Sequence, residues 1–121
     1  MNLEKLEKTL LLKPASIKEF PFGDDVMVFK VMNKMFALIA SKDDVLRLTL
    51  KADPNDAIAY REIYPCVTAG YHMNKKYWNT IVIDGTMEDE ILIDMIDESY
   101  NLVVTKLTKL ERNKLSLYDC N

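Results

Sequence analysis

The residues with the most evident chemistry lie in one short run, GYHMNKKYWNT, at positions 70–80. The run holds the only histidine and the only tryptophan of the chain, two adjacent lysines and no acid. Lysines at a turn can contact phosphates, and histidine and asparagine side chains can hydrogen-bond a nucleic-acid backbone. Lys75, Lys76, His72 and Asn74 are therefore predicted nucleic-acid contacts.

Strand periodicity indicates which other side chains could join this basic turn. In WNTIVID, positions 78–84, alternation assigns the isoleucines to the core and leaves Trp78 on the opposite face. Tyr71, Tyr77 or Trp78 could stack on bases if exposed. Trp78 would lie among basic groups if its face also carries Arg47 and Lys51. The alternative is that a hairpin tip simply favours polar residues and that Trp78 packs under a loop. The full set of predicted contacts is Lys34, Arg47, Lys51, His72, Asn74, Lys75, Lys76 and Trp78.

A catalytic role would have to use His72, the only side chain that titrates near neutral pH when unperturbed. Cys66 lies in the same stretch, but six residues of extended strand span about 20 Å. That separation prevents proton transfer unless the chain folds back. The chain contains no nucleophile elbow, glycine-rich phosphate loop or zinc-protease motif. The prediction is a non-enzymatic protein without a cofactor.

Acidic residues cluster in the predicted last helix, at positions 88–90 and again at Asp94, Asp97 and Glu98. Carboxylates at helical spacing share one face and could hold a hard cation weakly. The first cluster also complements the positive start of a helix, and the second suits a solvated helix face. No metal site is predicted.

The composition predicts one globular domain spanning residues 1–121, with 49% hydrophobic residues. Sixteen basic and 19 acidic residues give a net charge of −3, so nucleic-acid binding would need a local patch and no membrane partner is expected. The amphipathic N-terminal segment lacks a signal-peptide core, and no apolar run is long enough to span a bilayer. Cys66 and Cys120 show no zinc spacing, so a cytoplasmic protein with reduced thiols is expected.

The first half of the chain reads as a helix followed by strands. Leucines at helical spacing predict a short helix that ends before Pro14. VMVFKV and KMFALIA predict a hairpin joined at Met32-Asn33. VLRLTLK, at positions 45–51, alternates leucines with polar residues, as expected for a strand with one buried face.

The second half predicts a helix, two strands and a final helix. Asp53 and Pro54 suit a helix start, and Thr86 is the predicted N-cap of the last helix. Lys106 and Lys109 are placed at the end of that helix, where they complement its dipole. Its predicted buried stripe is Leu92, Met95, Ile96, Ser99, Val103 and Leu107. This order predicts an α+β fold, an antiparallel sheet with helices packed on one face.

Three segments resemble the MmcQ/YjbR family: FPFGDDVMVFKVMNKMFALI (20–39), YPCVTAGYHMNKKYWNTIVIDG (64–85) and IDESYNLVVTKL (96–107). The resemblance implies a fold similar to the frataxin/CyaY type and a "double wing" shape associated with DNA binding. The two predicted hairpins, turning near Lys34 and near Lys75, would be the wings. Where many members carry histidine this chain has Tyr77, so paired imidazoles are not expected. The frataxin-like fold also implies weak metal binding as an alternative function.

Protein binding is a further alternative for the same surface. Aromatic side chains dominate interface hot spots, so an exposed sheet face around Trp78 could anchor a protein partner. The seven methionines could supply adaptable contacts, although filling a core is their commoner use. Nucleic acid and protein therefore both stand as expected partners.

Overall fold

The computed structural model of the protein describes residues 1–70 and 73–118. Within these residues the helices are α1 (Leu3–Leu11), α2 (Pro54–Ile63), α3 (Asp89–Thr105) and α4 (Lys109–Ser116). The strands are β1 (Ser16–Glu19), β2 (Val26–Val31), β3 (Lys34–Lys42), β4 (Val45–Lys51), β5 (Val67–Ala69) and β6 (Trp78–Val82). Tyr71, His72 and residues 119–121, which include Cys120, lie outside the described residues.

The strands form one antiparallel sheet in the order β1-β2-β3-β4-β6-β5. Two-residue turns join β2 to β3 and β3 to β4. Both residues of the first turn, Met32 and Asn33, have positive φ (47° and 66°), which is the backbone twist that tight hairpins favour. The predicted hairpin at these two residues is therefore confirmed.

The helices cover one face of the sheet, and the core lies between them and that face. Leu48 and Ile81 are paired across β4 and β6 and are buried in the same cluster as Ile96 of α3. Phe36 packs edge-to-face on Tyr100, with ring centroids 5.2 Å apart. All six residues of the predicted α3 stripe are buried, including Ser99. The predicted α+β fold with helices on an antiparallel sheet is confirmed.

Local capping explains where the first two helices begin. The Asn2 side chain accepts the backbone N–H of Lys5 at 2.9 Å and starts α1. The Asp53 side chain accepts the N–H of Asn55 at 3.1 Å, and Pro54 occupies the first turn of α2, as predicted.

The predicted boundaries of the last helix are wrong at both ends. Thr86 does not cap α3, because its N–H and hydroxyl both donate to Asp84 Oδ1, at 3.0 and 2.6 Å. The helix begins only at Asp89 and ends at Thr105, with Lys106 as its C-cap. A separate helix, α4, follows because Thr108 and Glu111 form a capping box.

Candidate nucleic-acid interface

The face of the sheet that points away from the helices, here the outer face, follows from the strand register. One row crosses all six strands and consists of Glu19, Val28, Leu38, Thr49, Thr80 and Thr68. The parallel rows add Ile17, Val26, Lys30, Met35, Ala40, Lys42, Val45, Arg47, Lys51, Trp78 and Val82. Trp78 therefore shares a face with Arg47 and Lys51, as the alternation of β6 suggested.

The outer face carries more positive than negative charge. Its basic residues are Lys30, Lys42, Arg47 and Lys51. Among its strand positions, all of them described, Glu19 is the one acid, and its carboxylate lies 3.5 Å from the Lys30 ammonium. Since the whole chain is acidic, the acids are concentrated elsewhere on the molecule.

The centre of the outer face is partly closed by its own side chains. The hydroxyl groups of Thr49 and Thr80 are hydrogen-bonded across β4 and β6 at 2.9 Å, and Thr80 is buried. Val28 is fully buried, and Arg47 and Lys51 are half-buried. The accessible basic groups therefore lie towards the margins of this face.

Of the two alternatives for Trp78, the structure shows the packed one, because only 9% of this residue is accessible, and this burial removes Trp78 from the predicted nucleic-acid contacts. Trp78 lies directly opposite Lys51, and its carbonyl accepts the N–H of Gly70 at 2.8 Å. The approach of Gly70 is so close that a Cβ there would lie 2.9 Å from Trp78 Cβ. A glycine at position 70 thus lets the chain pack tightly against the tryptophan.

One end of the sheet gathers the predicted lysines. Since the strands are antiparallel, the end of β4 lies beside the starts of β3 and β6. The Ala52 N–H donates to the Tyr77 carbonyl at 2.8 Å, which fixes the segment before β6 next to Lys51. We call this end of the sheet the basic end; its lysines are Lys34, Lys51, Lys75, Lys76 and Lys106, the last from the C-cap of α3.

Hydrogen bonds to Asn74 shape the turn that presents Lys75 and Lys76. Asn74 Oδ1 accepts the Lys76 N–H at 3.0 Å, and the Asn74 carbonyl accepts the N–H groups of Tyr77 and Trp78, both at 3.0 Å. Asn74 therefore shapes the turn rather than only facing a ligand. Both lysines are exposed, and the Lys76 ammonium lies 5.7 Å from the centre of the Tyr77 ring.

Arg61 and Asn79 brace this turn from the helical side, and neither was predicted from the sequence. Arg61 donates to Asn79 Oδ1 at 2.7 Å and to the Lys75 carbonyl at 3.4 Å. Asn79 is buried, and its amide donates to the Ala57 carbonyl of α2 at 3.0 Å. The sequence did carry a signal for Asn79. Alternation in β6 places it on the core face, where an apolar side chain is expected.

Lys34 occupies the basic end but already has an acidic neighbour. Two hydrogen bonds from Thr108 lower the pKa of Glu111, and the charge of Lys34 lowers this pKa further. Lys34 is exposed at the start of β3. Part of its charge is thus balanced within the protein, unlike that of Lys75 and Lys76.

Lys106, which follows α3, acts electrostatically on Lys51 at the end of β4, and the sequence did not reveal this. Burial lowers the pKa of Lys51, and the nearby charge of Lys106 lowers it further. Lys106 is exposed. Its sequence position suggested only a favourable contact with the end of α3, because the proximity to Lys51 depends on how α3 packs.

Behind the basic end, two acids and a tyrosine link α2 to α3. The Tyr60 hydroxyl donates to Glu98 Oε2 at 2.6 Å, and burial, reinforced by Glu98, raises the pKa of Tyr60. Burial raises the pKa of Glu98 as well; the bond from Tyr60 opposes this increase, and Asp56 adds to it. The adjoining cavity, bordered also by Lys51 and Asn79, measures about 10 Å³, enough for one water molecule. A substrate would not fit in this cavity.

The described residues give little structural support to the predicted alternatives, which are catalysis and metal binding. Cys66 is buried with a free thiol, and its proposed partner His72 lies outside those residues. In the part of the chain that the structure describes, no group of three His, Cys, Asp or Glu residues could hold a metal ion. Asp97 of the second acidic cluster bonds Lys13, and Glu98 bonds Tyr60. No helix among the described residues is long and apolar enough to cross a membrane.

Comparisons with known proteins agree with the resemblance seen in the sequence. The family model described as YjbR matches residues 11–102. The uncharacterized protein YbdF of Escherichia coli O157:H7 is 36% identical over 96 residues, which cover 79% of each chain. The uncharacterized protein YjbR of Escherichia coli K12 is 25% identical over 115 residues, covering 95% of this chain and 98% of that protein.

A solved structure shows the same fold. The crystal structure of Deinococcus radiodurans protein DR2400, a DUF419 domain, matches with a TM-score of 0.86 and 39% sequence identity. The match covers 95% of this chain and 88% of DR2400. Because the family model spans most of the chain and relatives above 30% identity cover more than two thirds of it, the chain belongs to the YjbR family.

Proposed function

We propose that this protein is a non-enzymatic nucleic-acid-binding domain and that the basic end of its sheet makes the contact. The observation that carries this proposal is the bond between Ala52 and Tyr77, which places the exposed Lys75-Lys76 turn beside Lys51. Lysines from two strands and one turn thereby meet in a chain whose net charge is −3. Local positive charge of this kind is the electrostatic signature of phosphate binding.

The order of the turn supports binding rather than a merely solvated tip. Asn74 accepts hydrogen bonds from the backbone of this turn and Arg61 donates one to it, so binding would not have to form these contacts. Lys75 and Lys76 form no ion pair with any residue in the described ranges. Of the predicted stacking residues that the structure describes, Tyr77 is exposed beside these lysines and Trp78 is buried, so Tyr77 is the candidate for base stacking.

The small number of basic groups sets the expected strength of binding. Three to five phosphate contacts should give a modest affinity, and the counterions that they release should make this affinity fall as salt rises. The slope of log K against log salt is roughly −0.7 per contact for single strands and −0.9 for duplexes. Binding is expected near 25 mM salt and should be nearly lost near 200 mM.

The test is fluorescence anisotropy with labelled 20-nucleotide single strands and 20-base-pair duplexes in a salt series. Lys75→Gln/Lys76→Gln should weaken binding at least fivefold. The matched control is Lys5→Gln/Lys8→Gln, which removes the same charge from exposed positions of α1. Absence of binding by the unmodified protein at 25 mM salt would falsify the proposed function, as would equal losses in both variants.

A second candidate, protein binding, is favoured by a different region. Ile17 of β1 and the following Phe20 and Phe22 are 49%, 44% and 65% exposed, so apolar side chains are accessible along an edge strand and the segment after it. A Phe20→Ser/Phe22→Ser variant should lose nuclease-resistant partners from cell extract and keep its oligonucleotide affinity. Recovery of the same proteins by this variant removes the candidate.

A further inference from the structure

An open groove runs between helix α1 and strand β1, at one edge of the sheet. β1 is the first strand in the sheet order of the described residues, so one side of its backbone has no strand beside it. The residues that line the groove are Glu4, Glu7, Lys8, Leu11 and Leu12 of α1 and its end, and Lys18 of β1. The groove therefore offers a partner both free backbone groups and apolar side chains.

Four large apolar side chains stay accessible along this edge. Leu11 and Leu12 of the groove are 42% and 75% exposed, and Ile17 and Phe20 are 49% and 44% exposed. The Phe20 ring lies 5.9 Å from the Lys18 ammonium, which places this ring beside the groove. At roughly 200 Å² for one fully exposed large side chain, the four residues offer about 400 Å² of apolar surface.

This area suits a pair of identical chains. A two-fold axis covers the same patch on both protomers, so about 800 Å² of apolar surface would be buried in total. Apolar atoms supply a little over half of an ordinary interface, which brings the expected total to roughly 1,400 Å². Specific interfaces bury about 1,200–2,000 Å², so the patch is large enough for a reversible dimer.

The charged residues of β1 do not oppose such a pair. Residues near a two-fold axis meet their own copies, so an unbalanced charge there would be repelled. Lys18 is ion-paired with Glu7, and the Glu19 carboxylate lies 3.5 Å from the Lys30 ammonium. The edge strand thus lacks the free charges that commonly keep such strands apart.

Glu4 and Lys8 of α1 carry complementary charges on the same side of the molecule. Both are exposed and line the groove, and neither forms an ion pair within the ranges that the structure describes. Four residues apart, they share one face of the helix. A two-fold axis perpendicular to the sheet reverses the direction of α1 as well as that of β1. Glu4 of each protomer then lies towards Lys8 of the other.

We infer that the partner of this edge is a second copy of the chain. The two β1 strands pair antiparallel about a two-fold axis and join the two six-stranded sheets into one. Leu11, Leu12 and Phe20 of both protomers are buried, and Glu4 pairs with Lys8 across the axis. This inference rests on the protein-binding candidate above, whose partner it names, and it is independent of nucleic-acid binding at the basic end.

Sedimentation velocity over about 5–500 μM protein tests the association, because interfaces of this size give affinities in or below that range. We expect a reversible transition from monomer to dimer. Leu12→Glu should raise the dimer Kd at least tenfold, since it would bury a carboxylate in the interface. The matched control is Leu117→Glu, because Leu117 is also 75% exposed and is also the C-cap of a helix, here α4. A protein that stays monomeric at 500 μM, or equal effects of the two variants, would overturn the inference.

The two-fold arrangement is tested by exchanging charges between protomers. Glu4→Lys and Lys8→Glu each bring like charges together in a homodimer, so each variant should associate severalfold more weakly at 25 mM salt. Mixed in equal amounts, they form a heterodimer in which both contacts join opposite charges. The mixture should therefore associate more tightly than either variant alone.

Lys5→Glu is the control for this exchange, since Lys5 is exposed one residue away from Glu4, outside the groove lining. Mixed with Glu4→Lys, it should give no recovery. Equal recovery in both mixtures, or in neither, excludes the contact between Glu4 and Lys8.

The outcome also separates this inference from the candidate on which it rests. A chain that is monomeric throughout, yet retains proteins from nuclease-treated extract through Phe20 and Phe22, would overturn the inference and leave the protein-binding candidate standing. A monomeric chain that retains none removes both.

Discussion

The Tyr60 hydroxyl donates a 2.6 Å hydrogen bond to the carboxylate of Glu98 and thereby connects α2 with α3. Both side chains are partly buried, and burial raises the pKa of each. The same two helices also support the basic end, α2 through Arg61 and α3 through Ser99. The tyrosine–glutamate contact is therefore part of the frame that holds the proposed binding site.

Glu98→Gln should change how stability depends on pH. A carboxyl group with a raised pKa binds its proton more tightly in the folded protein than in the unfolded one. Ionisation of Glu98 therefore lowers the free energy of unfolding as pH rises above about 4.5. The variant removes this loss, and its melting temperature relative to the unmodified protein should rise between pH 4.5 and pH 8. Glu62→Gln, at an exposed position of α2, is the control. A difference in melting temperature that does not vary with pH would contradict the raised pKa of Glu98.

Ser99→Ala should be among the more destabilising small changes in the protein. Ser99 is fully buried, and its hydroxyl satisfies both the Lys51 N–H and the Phe36 carbonyl. Leaving both groups unpaired should cost about 2–4 kcal/mol in urea unfolding. Thr105→Ala, which removes an exposed hydroxyl from the same helix, should change stability by less than about 0.5 kcal/mol. Similar values for both variants would mean that the bridge is dispensable.

Gly70→Ala should disturb Trp78, and the single tryptophan of the chain makes this visible by fluorescence. The new Cβ would lie 2.9 Å from Trp78 Cβ and 3.0 Å from its carbonyl oxygen, so backbone must shift. We expect a loss of about 1–3 kcal/mol and a red shift of the emission.

Gly23→Ala is the matched control for that change. Gly23 has a φ of 106° and open space around it, so alanine there adds backbone strain without contact. It should cost about 1 kcal/mol and leave the emission unchanged. A red shift in both variants, or in neither, would show that Gly70 has no special contact with Trp78.

Asn79→Ala should loosen the turn that carries Lys75 and Lys76. The change leaves Arg61 without its 2.7 Å acceptor and the Ala57 carbonyl without its buried donor. We expect a loss of about 2–4 kcal/mol in unfolding free energy and faster amide exchange at Lys76 and Tyr77. Asn101→Ala, at an exposed position of α3, should alter neither quantity. Unchanged exchange at the turn would show that Asn79 supports α2 alone.

The side of the sheet on which each residue of β4 lies could be predicted from the sequence, because apolar and polar residues alternate strictly in this strand. The leucines of positions 46, 48 and 50 face the core, and Arg47 and Lys51 face away, as their sequence order requires. Helix α4 was missed although Thr108 and Glu111 carry a recognisable capping signal. Its start was hidden because the lysines around it also suited the end of the preceding helix.

The candidate site was only half predictable for a physical reason. Lys75 and Lys76 belong to a turn, and turns are read from neighbouring residues. Gly70 approaches Trp78 closely across the sheet, and the effect of Lys106 on Lys51 depends on residues 55 positions apart in the chain. Such long-range relations leave no periodicity in the sequence.

The two sides of the sheet carry side chains of opposite net charge. Ten acidic and six basic residues lie in the helices that cover the core face, whereas the strand positions of the outer face have four basic residues and Glu19. A polyanion is repelled at long range by the net negative charge of the protein. At short range it would still rotate the protein until the outer face of the sheet points towards the polyanion. Encounter would then be oriented before contact, and its rate would fall as ionic strength shortens the reach of the field.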